Sequence, residues 1–297
     1  MRPSRFVAAA AAVLTLAACA GGEAPGAGEA PESAAAPSAP AGPRVPAAPT
    51  AEDQLPPALL GQAGPLGGET VRYVAGDSAT AGYLAVPEGP GPFPALVIVH
   101  EWNGLVDRVR EVADALAAEG YVTLAADLFQ GRTGSNPDEN MALVREAMAD
   151  MAGVVANLDQ AVAFLKSRPD VGGRVGAMGW CFGGGVALSF GLDGAHHEAT
   201  AIFYGRLVDD PAVLARMDHE VYGTFARRDQ GPSPEQVEAF HAALEAAGIP
   251  NDLHVYDEVD HGFWLHVDQD PEVRSAPALD AWRRLKAYLD RTLRAAP

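Results

Sequence analysis

Cysteine is nearly missing from this chain. Two thiols stand among 297 residues, Cys19 and Cys181, so differently placed that no disulfide framework is expected. No C-x-x-C spacing points to a metal centre, and no resolving thiol accompanies Cys181 as a redox sensor would need. Basic residues are few as well: 21 Lys and Arg against 39 Asp and Glu leave a formal charge of −18. No basic run is present to neutralise phosphates, which argues against nucleic-acid binding. An ordinary membrane span is lacking too, since the apolar stretch Phe6 to Ala18 is too short. Internal repeats are not visible. What remains is 48% apolar composition, ample for one large core.

The first residues read as a targeting segment. Arg2 and Arg5 form a positive n-region ahead of the apolar stretch, which closes with Leu16-Ala17-Ala18-Cys19. That ending resembles the bacterial lipobox, which implies cleavage of residues 1–18, lipidation of Cys19 and a membrane tether. The expected location is the bacterial cell envelope, on the periplasmic or outer-membrane side. A plain secretory signal cut at the nearby alanines would instead release the protein. Residues 19–68 then read as a disordered tether, nearly all Ala, Pro, Gly, Ser and Glu, with nine prolines between Ala20 and Leu60. Such a composition offers too little apolar surface to offset chain entropy.

From Glu69 to Pro297 short apolar runs alternate with helical patterns. Val71–Val74 and Ala81–Val86 predict an opening pair of strands. Ala95–Val99 is continuously apolar, as in a strand buried on both faces. Strands are further expected at 121–125, 175–178, 200–204, 221–226 and 252–256. Helices are expected between them, with Asp280 to Arg294 closing the chain. This alternation calls for an α/β domain with a mostly parallel sheet and helices on both faces.

One stretch carries the chemistry. Gly179-Trp180-Cys181-Phe182-Gly183 follows a strand, precedes a helix, and has the form of the nucleophile elbow G-x-S-x-G with a thiol in place of the hydroxyl. Glycines fit there because the strand-to-helix turn is too sharp for side chains on either side. A helix N-terminus also favours thiolate over thiol. The alternative is a small buried Cys in a glycine-rich turn.

In such a sheet functional residues collect past the carboxyl ends of strands. Asp229, His261 and Glu101 all meet that condition. Cys181, Asp229 and His261 run nucleophile, acid, histidine at separations of 48 and 32 residues, the chain order of α/β-hydrolases. In that arrangement the imidazole takes the thiol proton and the carboxylate orients the imidazole. Asp260 competes with Asp229 for the acid, and Asp229 also suits a turn or cap. His196, His197, His241 and His266 read as surface or core histidines. Oxyanion donors on the hydrolase template are the backbone N–H groups of Phe182 and Trp102. Trp102, Trp180, Tyr204, Phe263 and Trp264 are candidates for the pocket wall.

Across residues 69–293 the chain resembles the dienelactone hydrolase family. The resemblance rests on His100-Glu101-Trp102-Asn103-Gly104, Ala126-Asp127-Leu128-Phe129, Gly179-Trp180-Cys181-Phe182-Gly183-Gly184, the strand leading to Asp229, and His261-Gly262-Phe263. It implies an α/β-hydrolase fold and hydrolysis of a small ester or lactone through a thioester, with neither cofactor nor metal. It also implies that Glu101 contacts the thiol and takes part in its activation. The family's substrate-carboxylate arginines imply a role for Arg145, with Tyr204 a further candidate substrate contact. A second family arginine falls where this chain has Leu265, and an expected tyrosine is Ala149, so an uncharged ester or lactone is at least as well suited as dienelactone. The rival reading is a non-catalytic binding module on the same scaffold.

Overall fold

The five consecutive apolar residues Ala95–Val99 are fully buried, and they set the middle of the sheet. Burying each Val, Leu or Ile there contributes roughly 1.5–3 kcal/mol, which a strand covered on both faces collects along its whole length. A computed structural model describes residues 42–294. The proposed signal segment, Cys19 and the chain up to residue 41 lie outside the described residues.

The strands are β1 (Glu69–Val71), β2 (Gly82–Ala85), β3 (Phe93–Val99), β4 (Val122–Ala126), β5 (Val171–Trp180), β6 (Ala199–Phe203), β7 (Val221–Ala226) and β8 (Asn251–Tyr256). The helices are α1 (Asp107–Ala118), α2 (Pro137–Ala149), α3 (Met151–Lys166), α4 (Phe182–Asp193), α5 (Pro211–Leu214), α6 (Pro234–Ala247) and α7 (Pro271–Leu289). One sheet holds all eight strands in the order β1-β2-β4-β3-β5-β6-β7-β8. β2 pairs antiparallel with β1 and β4; every later pair, β3 with β4 and then β3 through to β8, is parallel. The carboxyl ends of β3, β5, β6, β7 and β8 therefore share one rim.

Sequence chemistry explains the helix boundaries. Asn136 caps α2 by accepting from the Glu139 N–H, with Pro137 at the first helical position. Asp150 ends α2 and caps α3 through the Gly153 N–H. Ser233 and Gln236 form a reciprocal capping box on α6, which stops at Gly248 in the left-handed conformation. Helix α7 begins at Pro271, capped by Asp270, and runs through Pro277. The helix thus starts nine residues ahead of the expected Asp280, a correction to the sequence reading.

A second correction concerns the tether, which does not reach Gly68. From Gly42 the chain lies along the domain. Val45 is buried and exchanges backbone hydrogen bonds with Val86 and Glu88, each of 2.8 Å. A short 3-10 turn at Pro57–Leu60 buries Leu59 completely in the core shared by α1 and α7. The Gly68 N–H donates to the Tyr83 hydroxyl at 2.6 Å.

Candidate active site

Cys181 sits between the last residue of β5 and the first of α4, at φ 55° and ψ −118°. That left-handed conformation is costly for a residue with a Cβ and is held by its surroundings. The Cys181 N–H donates to the Phe203 carbonyl at 3.0 Å, which pins the turn to the end of β6. Close approach of α4 to the sheet completes it. A Cβ on Gly183 would lie 2.4 Å from the carbonyl oxygens of Val99 and His100, so only glycine lets the helix reach β3.

Asp229, buried, lies in the turn after β7 and uses both carboxylate oxygens. Oδ1 accepts from the Gly231 N–H at 2.9 Å, and Oδ2 meets His261 Nδ1 at 2.7 Å. With Nδ1 so engaged, Nε2 is the ring nitrogen left for the sulfur, which lines the same cleft as the ring. Burial works to lower the His261 pKa, but the hydrogen bonds and charges of Asp229 and Cys181 outweigh it and push it up to about 10. The ring packs against Tyr204, with centroids 4.9 Å apart. Asp260, the rival acid, is turned to Arg274 Nη2 at 2.9 Å.

The loop after β3 faces this elbow. His100 is fully buried, its Nδ1 on the Glu101 carbonyl at 2.7 Å and its Nε2 accepting from the Leu128 N–H at 3.2 Å. Burial lowers its pKa and keeps the ring neutral, with one donor and one acceptor as its partners require. The ring meets Phe129 edge-on at 4.6 Å, bracing the segment that carries Glu101 and Trp102. Asp127 is a brace of the same kind, accepting from the Phe129 and Gly131 N–H groups at 3.0 and 2.6 Å. The Phe182 N–H, at the first position of α4, has no intrahelical carbonyl to bond.

Glu101 is buried, but the hydrogen bond it makes is to His266, Oε2 to Nε2 at 2.8 Å, and not to the thiol. His266, by its sequence context a surface or core histidine, is therefore placed by the structure at the site. Tyr204 lies beside both groups: burial, then the Glu101 charge, raises its pKa, with a smaller contribution from Cys181.

Cys181, Tyr204 and His261 line a cleft of about 570 Å³, walled by Arg206, Pro232 and Glu235 among others. Such a volume suits a small molecule. A second cavity of about 250 Å³, lined by Met148, Met151, Phe182 and Val208, shares Arg206 with it. Arg145 does not line the cleft; it is exposed on α2. The arginine that does is Arg206, three residues past β6, a place the strand-end rule covers without singling it out. Leu265 is buried in the core, and Trp180, Phe263 and Trp264 are fully buried there as well, Trp180 stacking on Trp264 at 5.7 Å.

A mostly parallel sheet with its strand-end rim holding a strained strand–helix turn defines an α/β-hydrolase fold. The comparisons with known proteins narrow this. The model of the dienelactone hydrolase family matches residues 80–293, and the chain belongs to that family. A Methylorubrum extorquens protein named as a candidate carboxymethylenebutenolidase is 33% identical over 227 residues, covering 71% of this chain and 77% of its own. A Synechocystis protein of the same name is 27% identical over 231 residues, 72% of this chain and 92% of its own. The crystal structure of a candidate dienelactone hydrolase from Klebsiella pneumoniae shares the fold with a TM-score of 0.66 at 23% identity, covering 75% of this chain and 98% of that one. Family membership supports a hydrolase.

Proposed function

We propose that this protein hydrolyses a small ester or lactone through a thioester on Cys181. The observation that carries the reading is one cleft lined by a thiol in a left-handed turn and by an imidazole whose Nδ1 is hydrogen-bonded to Asp229. The thiol proton rests on His261 Nε2, and the sulfur attacks the carbonyl carbon as a thiolate. The resulting oxyanion accepts from the Phe182 and Trp102 N–H groups. When the tetrahedral centre collapses, the C–O bond breaks and the leaving oxygen takes the proton from His261. Water then attacks the thioester, gives its proton to the imidazole, and returns the thiol and a carboxylic acid. Asp229 holds the ring and balances the imidazolium.

The 570 Å³ cleft and the apolar cavity beside it suit a compact acyl or alcohol group next to the sulfur. Arg206 is the single Lys or Arg among the cleft residues, beside Asp209 and Glu235, so the rim carries both signs. The test is a screen of small esters, lactones and thioesters with the acyl-enzyme trapped by mass spectrometry. Cys181→Ala should abolish turnover and acyl trapping, and Cys181→Ser should leave a small remainder. Normal turnover of p-nitrophenyl acetate by the alanine variant refutes the reading. A binding module without catalysis would instead alkylate slowly at Cys181 and turn over no ester.

We further propose a lipid anchor at Cys19, placing the enzyme in the cell envelope. The supporting feature is the apolar segment ending in Leu16-Ala17-Ala18-Cys19. Detergent-phase partitioning of the expressed protein, lost in Cys19→Ala, is the expected result; aqueous partitioning of both sinks it.

A further inference from the structure

The mechanism leaves one buried charge without a task. Glu101 sits at the strand-end rim with its carboxylate almost wholly removed from water, side chain 7% exposed. A carboxylate so placed needs a donor. Two groups at the rim can offer one: the imidazole of His266, and the S–H of Cys181, since β3 and β5 run side by side with Val99 opposite Gly179, two residues short of Glu101 and Cys181. The choice between them decides the state of the nucleophile. If Glu101 accepted from the sulfur, the proton would be held there, and a thiol is a poor nucleophile beside a thiolate. In this structure His266 Nε2 takes that place at 2.8 Å, and the sulfur shares its cleft with His261.

The fold invests in holding His266 where it is. Arg274, mostly buried, donates from Nη1 to the His266 carbonyl at 2.8 Å and to Gln269 Oε1 at 3.2 Å, and from Nη2 to Asp260 at 2.9 Å. On the other side Arg108 donates to the Leu265 carbonyl at 3.1 Å and to Asp268 at 3.2 Å. The Leu265 N–H rests on the Tyr204 hydroxyl at 3.3 Å, and the His266 N–H closes on the Gly262 carbonyl at 3.1 Å. The segment that carries His261 thus also carries His266 in a fixed relation to it.

We propose that His266 is a positioning residue of the thiol site: by binding the Glu101 carboxylate it keeps that charge off Cys181, so the resting sulfur is paired with His261. The proposal rests on Cys181 being the nucleophile. Its consequence is an enzyme whose thiol is reactive before substrate arrives. Without a donor at residue 266, the carboxylate turns to the S–H and holds its proton. The groups facing this pair, which any pH profile must include, are Cys181, His261, Tyr204, Arg274 and the Asp260 bound to it.

The test follows alkylation of Cys181 in the full chain by iodoacetamide against pH, read by mass spectrometry. In that reaction sulfur bonds to the methylene carbon, the C–I bond breaks, iodide leaves, and the former thiol proton remains on His261. His266→Ala, or His266→Leu where the smaller side chain unsettles the fold, should slow alkylation at pH 7 about tenfold and shift its profile about one unit upward. His266→Gln, whose amide can still donate to Glu101, should stay within about threefold of wild type. Adding Glu101→Gln to His266→Ala should restore the rate, because the proton-holding carboxylate is gone. Loss of packing alone predicts no such rescue. Wild-type alkylation in the donor-free variants, or a double variant as slow as the single, overturns the proposal. Wild-type enzyme that still hydrolyses ester after complete alkylation would instead sink Cys181 as the nucleophile, an outcome distinct from any ratio of alkylation rates.

Discussion

Gly183 spaces the two halves of the proposed oxyanion hole, so Gly183→Ala should separate carbonyl chemistry from thiol chemistry. An added Cβ would stand 2.4 Å from the Val99 and His100 carbonyl oxygens, where ordinary contact starts at 3.4 Å. Both obstacles are backbone atoms in the most buried part of the sheet, and neither can rotate aside. Helix α4 and the end of β3 must therefore part by up to about 1 Å. Phe182 precedes the substituted residue and Trp102 follows His100 by two, so their N–H groups separate by a similar distance. A misplacement of about 1 Å costs roughly 10²-fold at a reacting centre. Full loss of one oxyanion donor costs about 10²–10³-fold, and overpacking about 1–3 kcal/mol of stability. The assay compares kcat/KM for p-nitrophenyl acetate with the iodoacetamide rate, after thermal unfolding has shown the variant folded. Alkylation builds no oxyanion, so it should change by no more than about threefold. Gly64→Ala, where an added Cβ meets nothing within 4 Å, is the control and should alter neither. Hydrolysis at the wild-type rate, or hydrolysis and alkylation falling together, refutes the reasoning.

Other consequences can be read at the same bench. Asp229→Asn removes the charge that stabilises the imidazolium and should lower kcat by about 10³–10⁴-fold, with the basic limb of the pH–rate profile moved to lower pH. An unchanged limb would separate Asp229 from His261 function. The raised His261 pKa also makes a stability statement. A histidine lifted from 6.5 to about 10 in the folded chain contributes stability that is fully present below pH 6.5 and lost as pH rises through about 10. Urea midpoints should therefore fall between pH 6.5 and 10 more steeply in wild type than in Asp229→Asn; parallel curves would contradict this. Arg206→Gln should raise KM for a carboxylate-bearing ester over that for its neutral analogue, by about fivefold, because an exposed rim cation contributes about 1 kcal/mol. Equal KM changes would remove Arg206 from substrate recognition.

The parts of the molecule legible in the sequence are those whose cause is local. Ala95–Val99 is apolar at every position because both faces of β3 are covered, and α6 announces itself through Ser233-Pro234 and Gly248. The rim positions of Cys181, Asp229 and His261 are legible because each stands just past a strand that is itself legible. The strand-end rule also reaches Arg206, yet one arginine among several gives no sign of which cavity it borders. His266 is opaque for a stronger reason: its meaning lies in a carboxylate 165 positions away, and only the fold, which sets the loop after β3 beside the segment after His261, brings the two to 2.8 Å. Helix α7 hides its first turns behind Pro277, which reads as a breaker. The tether is the most instructive case. Average composition decides whether a segment can fold alone, not whether it can be adopted by a neighbour. Val45 and Leu59 are two apolar side chains in a run of Pro and Ala, yet each enters a core already built by others. Backbone bonds from residue 45 to the Val86–Glu88 edge supply the rest. Docking of that kind is a property of the surface that receives the segment, which is why the segment's own residues do not declare it.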